Sequence, residues 1–383
     1  MQTVAFSLAA FAFLVAVSSA LEMAVGNRRL RRLGDVPPLQ ESCGRVSIIV
    51  AARNEERHIA GAVRSLIAQT YPDIEIIAVD DRSTDATGAI IDDLAQTSDR
   101  LKVVHVADLP DGWLGKNHAL HTGAGHAAGR YLLFTDADVV MDPTAVARAL
   151  GDMRARALDH LPIAPGVRAR GFFLSLLVGA FLYLFTLGKK PWLISRPKNP
   201  FHMGVGAFNL ITTEAYRKIG GHERIALRPD DDMMLGKLVK AAGLRQDMLV
   251  GRDLIDLEWY ASCREMIRGL EKNAFSGLHY SAAFTLVTCT VLLAAIVLPP
   301  AAVFFTAGWA RILNLAAFAA WTLSYADQAR LWKVPAWHAP AFPLGTLLLV
   351  YTIFRAVAKT LITGGITWRD HFYPLKQLRQ NRL

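Results

Sequence analysis

Apolar residues crowd the two ends of the chain, whereas short apolar runs and polar turns alternate through its middle. Residues 1–21 carry no charge and are long enough to cross a bilayer as one helix. The basic sequence NRRLRRL follows at 27–33, which favours a retained anchor over a cleaved signal peptide and places the downstream chain in the cytoplasm. We therefore predict a transmembrane anchor at residues 1–25.

A second apolar block, residues 281–362, predicts two or three further spans. The separate runs are 282–308, 314–326 and 339–354. Three spans would place the basic tail, 363–383, outside the cell against the positive-inside rule, so the sequence leaves their number open. The prediction is a multi-pass protein of the inner (cell) membrane whose domain at 40–280 lies in the cytoplasm.

The polar middle alternates apolar strands with helical patterns. Four runs predict strands: RVSIIVAARNEE (45–56), IEIIAVDDRSTDAT (74–87), LKVVHV (101–106) and RYLLFTDADVVMDP (130–143). Strands that are apolar on both faces and separated by helices are typical of an α/β domain with a mostly parallel sheet.

The apolar run 171–188 interrupts this domain, and its 18 residues approach the length of a span. A full crossing would put the acids at 136–138 and those at 230–232 on opposite sides of the membrane. We therefore interpret the run as an interfacial or re-entrant segment, with a buried core helix as the alternative.

The net charge of +9 would suit nucleic acid, but no nucleic-acid-binding signature accompanies it. Much of the excess borders apolar runs, where Lys and Arg meet anionic lipid head groups. We predict a membrane partner and no nucleic acid. The three cysteines form no CxxC pair, which argues against a zinc site or a disulfide framework.

Three of the predicted strands end in polar clusters, at the edge where parallel sheets bind ligands. The clusters are Asn54-Glu55, Asp80-Asp81 and Asp136-Asp138. Two acids one residue apart can address one divalent cation, Mg²⁺ or Mn²⁺, that is shared with substrate phosphates. An Asp-x-Asp sequence also occurs in surface turns, but the buried strand before this one favours the metal site.

A second acid cluster, Asp230–Asp232, precedes a helical pattern. One or two acids there would serve the helix dipole. Three in a row repel one another and raise each other's pKa, so that one of them could act as general base for an alcohol nucleophile.

Five segments of the chain follow one another in the order found in the inverting family 2 glycosyltransferases of the GT-A fold, which the chain resembles over about residues 45–250. They are VSIIVAARNEE, IIAVDDRSTDAT, GKNHALHTGAGHAAGRYLLFTDADVVMDP, GVGAFNLITTEAYRKIGGH and DDDMMLGKLVKAAG. The flanking apolar segments and GGITWRDHFYPLKQLR look like the bacterial membrane branch that glycosylates lipids, including hopanoid-associated and ceramide-type enzymes. The implied fold is a Rossmann-like, mostly parallel cytosolic domain with an N-terminal anchor and C-terminal transmembrane helices.

The resemblance also implies a role for each motif residue. It assigns the nucleotide-sugar donor, with UDP expected, to Asn54, Glu55, Asp80, Asp81, Lys116, Asn117 and Asp136. It assigns the Mg²⁺ or Mn²⁺ to Asp136 and Asp138. It assigns general base catalysis to Asp232, with Asp231 beside it in the motif and Asp230 as the spare acid.

The segment EWYASCREMIRGLEKNAF, 258–275, stands where processive synthases carry a Gln-x-x-Arg-Trp motif, which is missing. A single transfer is therefore expected. Trp259, Arg264 and Arg268 are candidate phosphate or acceptor contacts; the basic stripe that the two arginines form with Lys272 fits a solvated or head-group-facing surface equally well.

The function predicted is a membrane-bound, metal-dependent, inverting transfer of a sugar from a nucleotide-sugar to a lipid hydroxyl. The alternatives are a polyprenyl-phosphate or glycan acceptor, and a catalytically dead membrane scaffold.

Overall fold

The computed structural model describes residues 2–368 and 371–380, so residues 369–370 and 381–383 of the predicted tail lie outside it. The chain divides into two compact units. The sheet unit comprises Leu30–Arg168 and Pro191–Glu258, and the helical unit comprises the first 29 residues, Ala169–Lys190 and Trp259–Gln380.

The sheet unit is built on a sheet that has nine strands in the described part of the chain. The strands are β1 (Arg31–Arg32), β2 (Val46–Ala52), β3 (Ile74–Asp81), β4 (Leu101–Val106), β5 (Tyr131–Asp136), β6 (Val139–Met141), β7 (His160–Val167), β8 (Asn209–Thr212) and β9 (Leu249–Leu257). Their order is β1-β9-β7-β8-β5-β2-β3-β4, with β6 paired to β9.

The strands predicted from the sequence form the parallel half of this sheet. β2 pairs in parallel with both β3 and β5, and β3 pairs in parallel with β4. All eight residues of β3 are buried, the five apolar ones together with Glu75, Asp80 and Asp81. Since β8 runs antiparallel to β5 and to β7, the whole sheet is mixed. The α/β architecture expected from the sequence is confirmed.

Helices α2 to α5, with α7 and α8, belong to the sheet unit. They are α2 (Ile59–Ile67), α3 (Thr87–Ala95), α4 (Gly115–Gly125), α5 (Ala145–Ala155), α7 (Thr213–Lys218) and α8 (Asp231–Ala241). Because α2, α3 and α4 follow the parallel strands directly, each begins near the carboxyl end of a strand. That edge carries the predicted polar clusters.

The helical unit holds the remaining elements. They are α1 (Gln2–Asn27), α6 (Phe172–Lys189), α9 (Cys263–Gly277), α10 (Ala282–Leu292), α11 (Leu298–Ala302), α12 (Gly308–Trp332), α13 (Phe342–Thr363), β10 (Gly365–Trp368), β11 (His371–Pro374) and α14 (Leu375–Gln380). Four helical segments of the described chain are long and apolar enough to cross a membrane: Gln2–Asn27, Phe172–Leu193, Ala282–Ala302 and Ala336–Thr363.

The apolar run 171–188 forms α6, which packs inside the helical unit. Tyr183 Oη lies 2.6 Å from Ser324 Oγ of α12, and Gln328 Nε2 donates to Leu182 O at 3.3 Å. Small residues allow α13 to approach equally closely, since a Cβ at Gly345 would lie 2.8 Å from Leu176 O and 3.0 Å from Ala180 Cβ. Whether α6 spans the membrane or lies in its interface stays a prediction.

Gly345→Ala should loosen the contact between α6 and α13, because the added methyl group meets a backbone carbonyl that cannot rotate away. We expect a loss of about 1–3 kcal/mol in unfolding free energy, measured by thermal unfolding of the full chain in detergent. Gly188→Ala in α6 is the control, since its Cβ would meet nothing within 4 Å. Equal stability of the two variants would contradict the close approach.

Candidate active site

The loops that follow β2 and β3 are bound to each other, which brings two of the predicted clusters together. Asn54 Oδ1 accepts from Thr84 N at 2.8 Å, and Thr87 Oγ1 accepts from Glu55 N at 2.7 Å. Asn54 has a φ of 55°, a left-handed conformation that asparagine tolerates better than most residues. The turn at Asn54 and Glu55 is therefore fixed by the neighbouring loop.

Asp80 and Asp81 end β3 as nearly buried carboxylates with protein partners. Asp80 Oδ2 lies 3.1 Å from His105 Nδ1, and Asp81 forms a bidentate pair with Arg82 at 2.8 and 3.1 Å. The hydrogen bond to Asp80, and then that to Asp92, raise the pKa of His105. Both acids thus lie at the predicted edge, Asp80 beside the His105 imidazole and Asp81 paired with the Arg82 guanidinium.

Lys116 joins the two acid clusters that the sequence predicted separately. Its Nζ lies 2.7 Å from Asp136 Oδ1 and 3.6 Å from Asp231 Oδ1. Burial opposes its charge, but Asp136, Asp231 and Asp232 together hold the pKa of Lys116 above its ordinary value. The end of β5 and the start of α8 therefore face one another across one ammonium group.

Asp136 and Asp138 fit a divalent cation that is shared with a ligand. Burial, and then the charges of Asp136 and Glu55, raise the pKa of Asp138 to about 7, so these crowded acids would gain from a cation. Among residues 2–368 and 371–380, no group of three or more His, Cys, Asp and Glu side chains could hold a metal ion by itself. Two carboxylates completed by substrate phosphate oxygens are a usual Mg²⁺ arrangement.

The three acids at the start of α8 have different surroundings. Asp230 is paired with Arg228 in bidentate fashion at 2.9 and 2.8 Å, and Asp231 is buried beside Lys116. Asp232 accepts from Gly206 N at 2.8 Å and from Met233 N at 2.7 Å. Burial, and then the charge of Asp231, raise the pKa of Asp232 to about 7 against the lowering effect of Lys116. A carboxyl group with that pKa suits general base catalysis near neutral pH.

The segment Met203–Gly206 lies directly on α8, a contact that the sequence analysis missed. A Cβ at Gly204 would lie 1.7 Å from Asp232 O, and one at Gly236 would lie 2.0 Å from Met203 O. Only glycine fits at either position. The available signal in the sequence was the glycines of GVG at 204–206 and of LGK at 235–237. Neither triplet is distinctive without the fold.

Asn117 has a contact different from the one that the resemblance implies. Its side chain is fully buried, and Nδ2 donates to the carbonyl oxygens of Ile225, Ala226 and Arg228 at 2.8–3.1 Å. It therefore ties α4 to the loop that leads into Asp230. A direct contact with the donor diphosphate stays a prediction for Lys116 and Asn117.

A buried polar network lies behind α8. His160 Nε2 lies 2.6 Å from Asn209 Oδ1, and His160 Nδ1 lies 2.7 Å from Gln246 Nε2. Burial lowers the pKa of His160 to about 4. The imidazole is then neutral at pH 7, with its proton on Nε2.

Trp259, Arg264 and Arg268 belong to the helical unit. Ser262 caps α9, on which both arginines are exposed. The ring of Trp259 packs against Phe181 at 5.0 Å. Their predicted contacts with phosphate or acceptor stay predictions, and the side chain of Lys272 lies outside the described residues.

Comparison with known proteins points to glycosyltransferases. The family model Glycosyl transferase family 2 matches residues 47–218. An uncharacterized glycosyltransferase of Haemophilus influenzae is 30% identical over 138 residues, or 36% of this chain and 39% of its own length. A 4,4'-diaponeurosporenoate glycosyltransferase of Staphylococcus aureus is 40% identical over 95 residues, 24% of each chain. The chain thus aligns with less than half of the length of either relative.

A solved mannosyltransferase of Pyrobaculum calidifontis, in complex with GDP-Man and Mn²⁺, superimposes with a TM-score of 0.57 and 20% identity, covering 91% of this chain and 99% of its own. The fold is therefore the GT-A fold of glycosyltransferases, as expected. Residues 47–218 thus form a glycosyl transferase family 2 domain.

The neutral buried His160 predicts acid lability of the sheet unit. Because its folded pKa lies below the unfolded value of about 6.5, the unfolded state binds the proton first as pH falls. This difference in proton binding has almost no effect on the free energy of unfolding above pH 7. By pH 5 it lowers the free energy of unfolding by roughly 2 kcal/mol. Thermal unfolding between pH 7.5 and 5 measures it. A His160→Gln protein should be less stable at pH 7.5 but lose less on acidification; an unchanged pH dependence would contradict the assignment.

Proposed function

We propose that this protein is a membrane-bound, inverting glycosyltransferase that moves a sugar from a nucleotide-sugar to the hydroxyl group of a lipid. The observation that carries the proposal is the meeting of Asp136, Asp231 and Lys116 at the carboxyl edge of the parallel strands. That meeting supports a diphosphate site that lies beside the catalytic base, on a domain of family 2.

The donor would bind along the ends of β2, β3 and β5. Asn54, Glu55, Asp80 and Asp81 would face the nucleoside, with UDP expected from the sequence resemblance and GDP as the other candidate. Lys116 would turn towards the diphosphate when the negative charge of the donor arrives. Asp136 and Asp138 would hold Mg²⁺ or Mn²⁺, which supplies neutralisation of the leaving diphosphate.

Asp232 would take the proton of the acceptor hydroxyl. Gly206 N holds one carboxylate oxygen of Asp232, which fixes the direction of the other. The alcohol oxygen then attacks the anomeric carbon from the face opposite the nucleotide, so the product anomer is inverted and no covalent enzyme intermediate forms. Asp231 pairs with Lys116, and its negative charge raises the pKa of Asp232 against the lowering effect of that lysine.

Two observations support a lipid acceptor. In the part of the chain that the structure describes, four segments, which lie mainly in the helical unit, are long and apolar enough to cross a membrane. The Staphylococcus aureus relative is named for an acceptor with a long apolar skeleton, diaponeurosporenoate. An acceptor of that kind would reach the enzyme from the bilayer, and the family 2 domain would then lie in the cytoplasm, where nucleotide-sugars are made.

Asp232→Asn should abolish transfer, because the amide cannot accept the proton. Membranes carrying the full chain would receive radiolabelled UDP- and GDP-sugars with host lipid extract and Mn²⁺, and label in the organic phase would be followed. We expect a fall of about 10²–10⁴-fold with donor binding retained. Asp230→Asn is the comparison, since Asp230 is paired with Arg228. We expect the transfer rate of this variant to fall less than 10-fold. The opposite ranking would move the base to Asp230.

Chelation should remove the activity, and Mn²⁺ or Mg²⁺ should restore it. Asp138→Asn should raise the metal concentration that gives half the maximal rate by at least about 10-fold, because one of only two protein carboxylates is lost. Asp142→Asn is the control, since its carboxylate is bonded to Thr144 in the next turn. Full activity of Asp138→Asn in the presence of chelator would remove the metal from the proposal.

A further inference from the structure

We propose that Gln246 is a positioning residue for Asp232, acting through the backbone of Met203–Gly206. The inference rests on the proposed function for its catalytic meaning, although the contacts themselves do not. Gln246 belongs to none of the sequence motifs and lies between α8 and β9, where its backbone forms an isolated parallel bridge with His160.

The orientation of the Asp232 carboxylate depends on a neighbouring backbone. Its Oδ1 is bonded to the amide that directly follows it in the chain, at Met233. Its Oδ2 is bonded to Gly206 N, which belongs to a different segment. A shift of that segment along α8 would therefore turn the carboxylate away from its present direction.

The segment is held against α8 by contact between two backbones. A Cβ on Gly204 would lie only 1.7 Å from Asp232 O, so the backbone of the segment touches the backbone of α8 with no side chain between them at this point. A hydrogen-bonding group that reaches both the segment and the helix would help to fix the register between them.

The side-chain amide of Gln246 makes that connection. Its Oε1 accepts from Met203 N at 3.0 Å, at the start of the segment, and its Nε2 donates to Gly236 O at 3.0 Å, within α8. Only 3% of the residue is exposed. The buried amide of Gln246 is therefore hydrogen-bonded both to the segment Met203–Gly206 and to α8. The relative position of these two backbones sets the direction of the Asp232 carboxylate.

His160 and Asn209 fix which way the Gln246 amide faces. Asn209 Oδ1 can only accept, so the proton of neutral His160 is on Nε2 and its Nδ1 accepts from Gln246 Nε2. If the Gln246 amide were flipped, its Oε1 would face His160 Nδ1, and both of these atoms are acceptors. Asn209 pairs with Phe134 of β5, two residues before Asp136, so the network also joins the strand of the candidate metal acids to the helix of the candidate base.

The test compares Gln246→Met with Gln69→Met in the full chain. Gln69 is the matched control because it is equally buried and also makes three amide hydrogen bonds, to Ser65 O, Asp142 O and Val146 N, away from α8. Both variants should lose thermal stability. Only Gln246→Met should lower kcat per folded molecule, by about 10–100-fold, with donor KM and donor binding within twofold of the wild type. Equal kcat in the two folded variants would overturn the proposal.

A second variant of Gln246 and a measurement of hydrogen exchange test the same proposal independently of kcat in Gln246→Met. If Gln246→Met does not fold, Gln246→Asn serves, since its shorter amide cannot reach Met203 and Gly236 together; wild-type kcat in that protein would overturn the inference. Hydrogen–deuterium exchange of the peptide containing Gly206 should be faster in the Gln246 variants and unchanged in the Gln69 variants. Unchanged exchange in all would overturn it as well.

The exchange measurement also separates this proposal from the proposed function. If the wild type transfers no sugar to lipid from any UDP- or GDP-sugar, the proposed function fails. Loss of protection at Gly206 in the Gln246 variants would then still support the positioning of the Asp232 carboxylate.

Discussion

The contact of Lys116 with Asp136 and Asp231 is the interaction on which the candidate site depends. Two clusters of acids, almost a hundred residues apart in the chain, end up close together in a partly buried place. Without a cation between them, desolvation and mutual repulsion would force protons onto several of these carboxylates. The ammonium group of Lys116 allows negative charge to persist on these carboxylates.

The surroundings of that contact are built largely from backbone. Loops after β2 and β3 hold each other through side chains that accept from peptide N–H groups, and Asn117 gathers three carbonyl oxygens of the loop before α8. Glycines let the segment Met203–Gly206 lie on α8 without a gap. Sites fixed in this way can place a carboxylate to within a few tenths of an ångström, as base catalysis requires.

The helical unit is organised by a different principle. Its helices meet through close backbone approach and polar pairs, which are the contacts by which helices associate where exclusion of water contributes little. Gly345 against Leu176, and Tyr183 with Ser324, are contacts of this kind. On α9, Glu271 accepts from Arg355 and Lys359 of α13, both at 2.6 Å, and so ties the helix that follows the sheet unit to the apolar helices.

The sequence by itself determined the four strands of the parallel half of the sheet, the resemblance to family 2 and the positions of the acids, because each of these is written in a local pattern. Mostly apolar runs predict β2, β3 and β5, and an acid pair directly after a buried strand predicts chemistry at its end. Only the tertiary structure decided that Lys116 faces Asp136, that Asn117 is bonded to a loop, and that Gln246 bonds Met203 to Gly236. Those relations join residues that are distant in the chain, and no local pattern of polarity records which backbone will lie beside which side chain once the sheet has closed over its core.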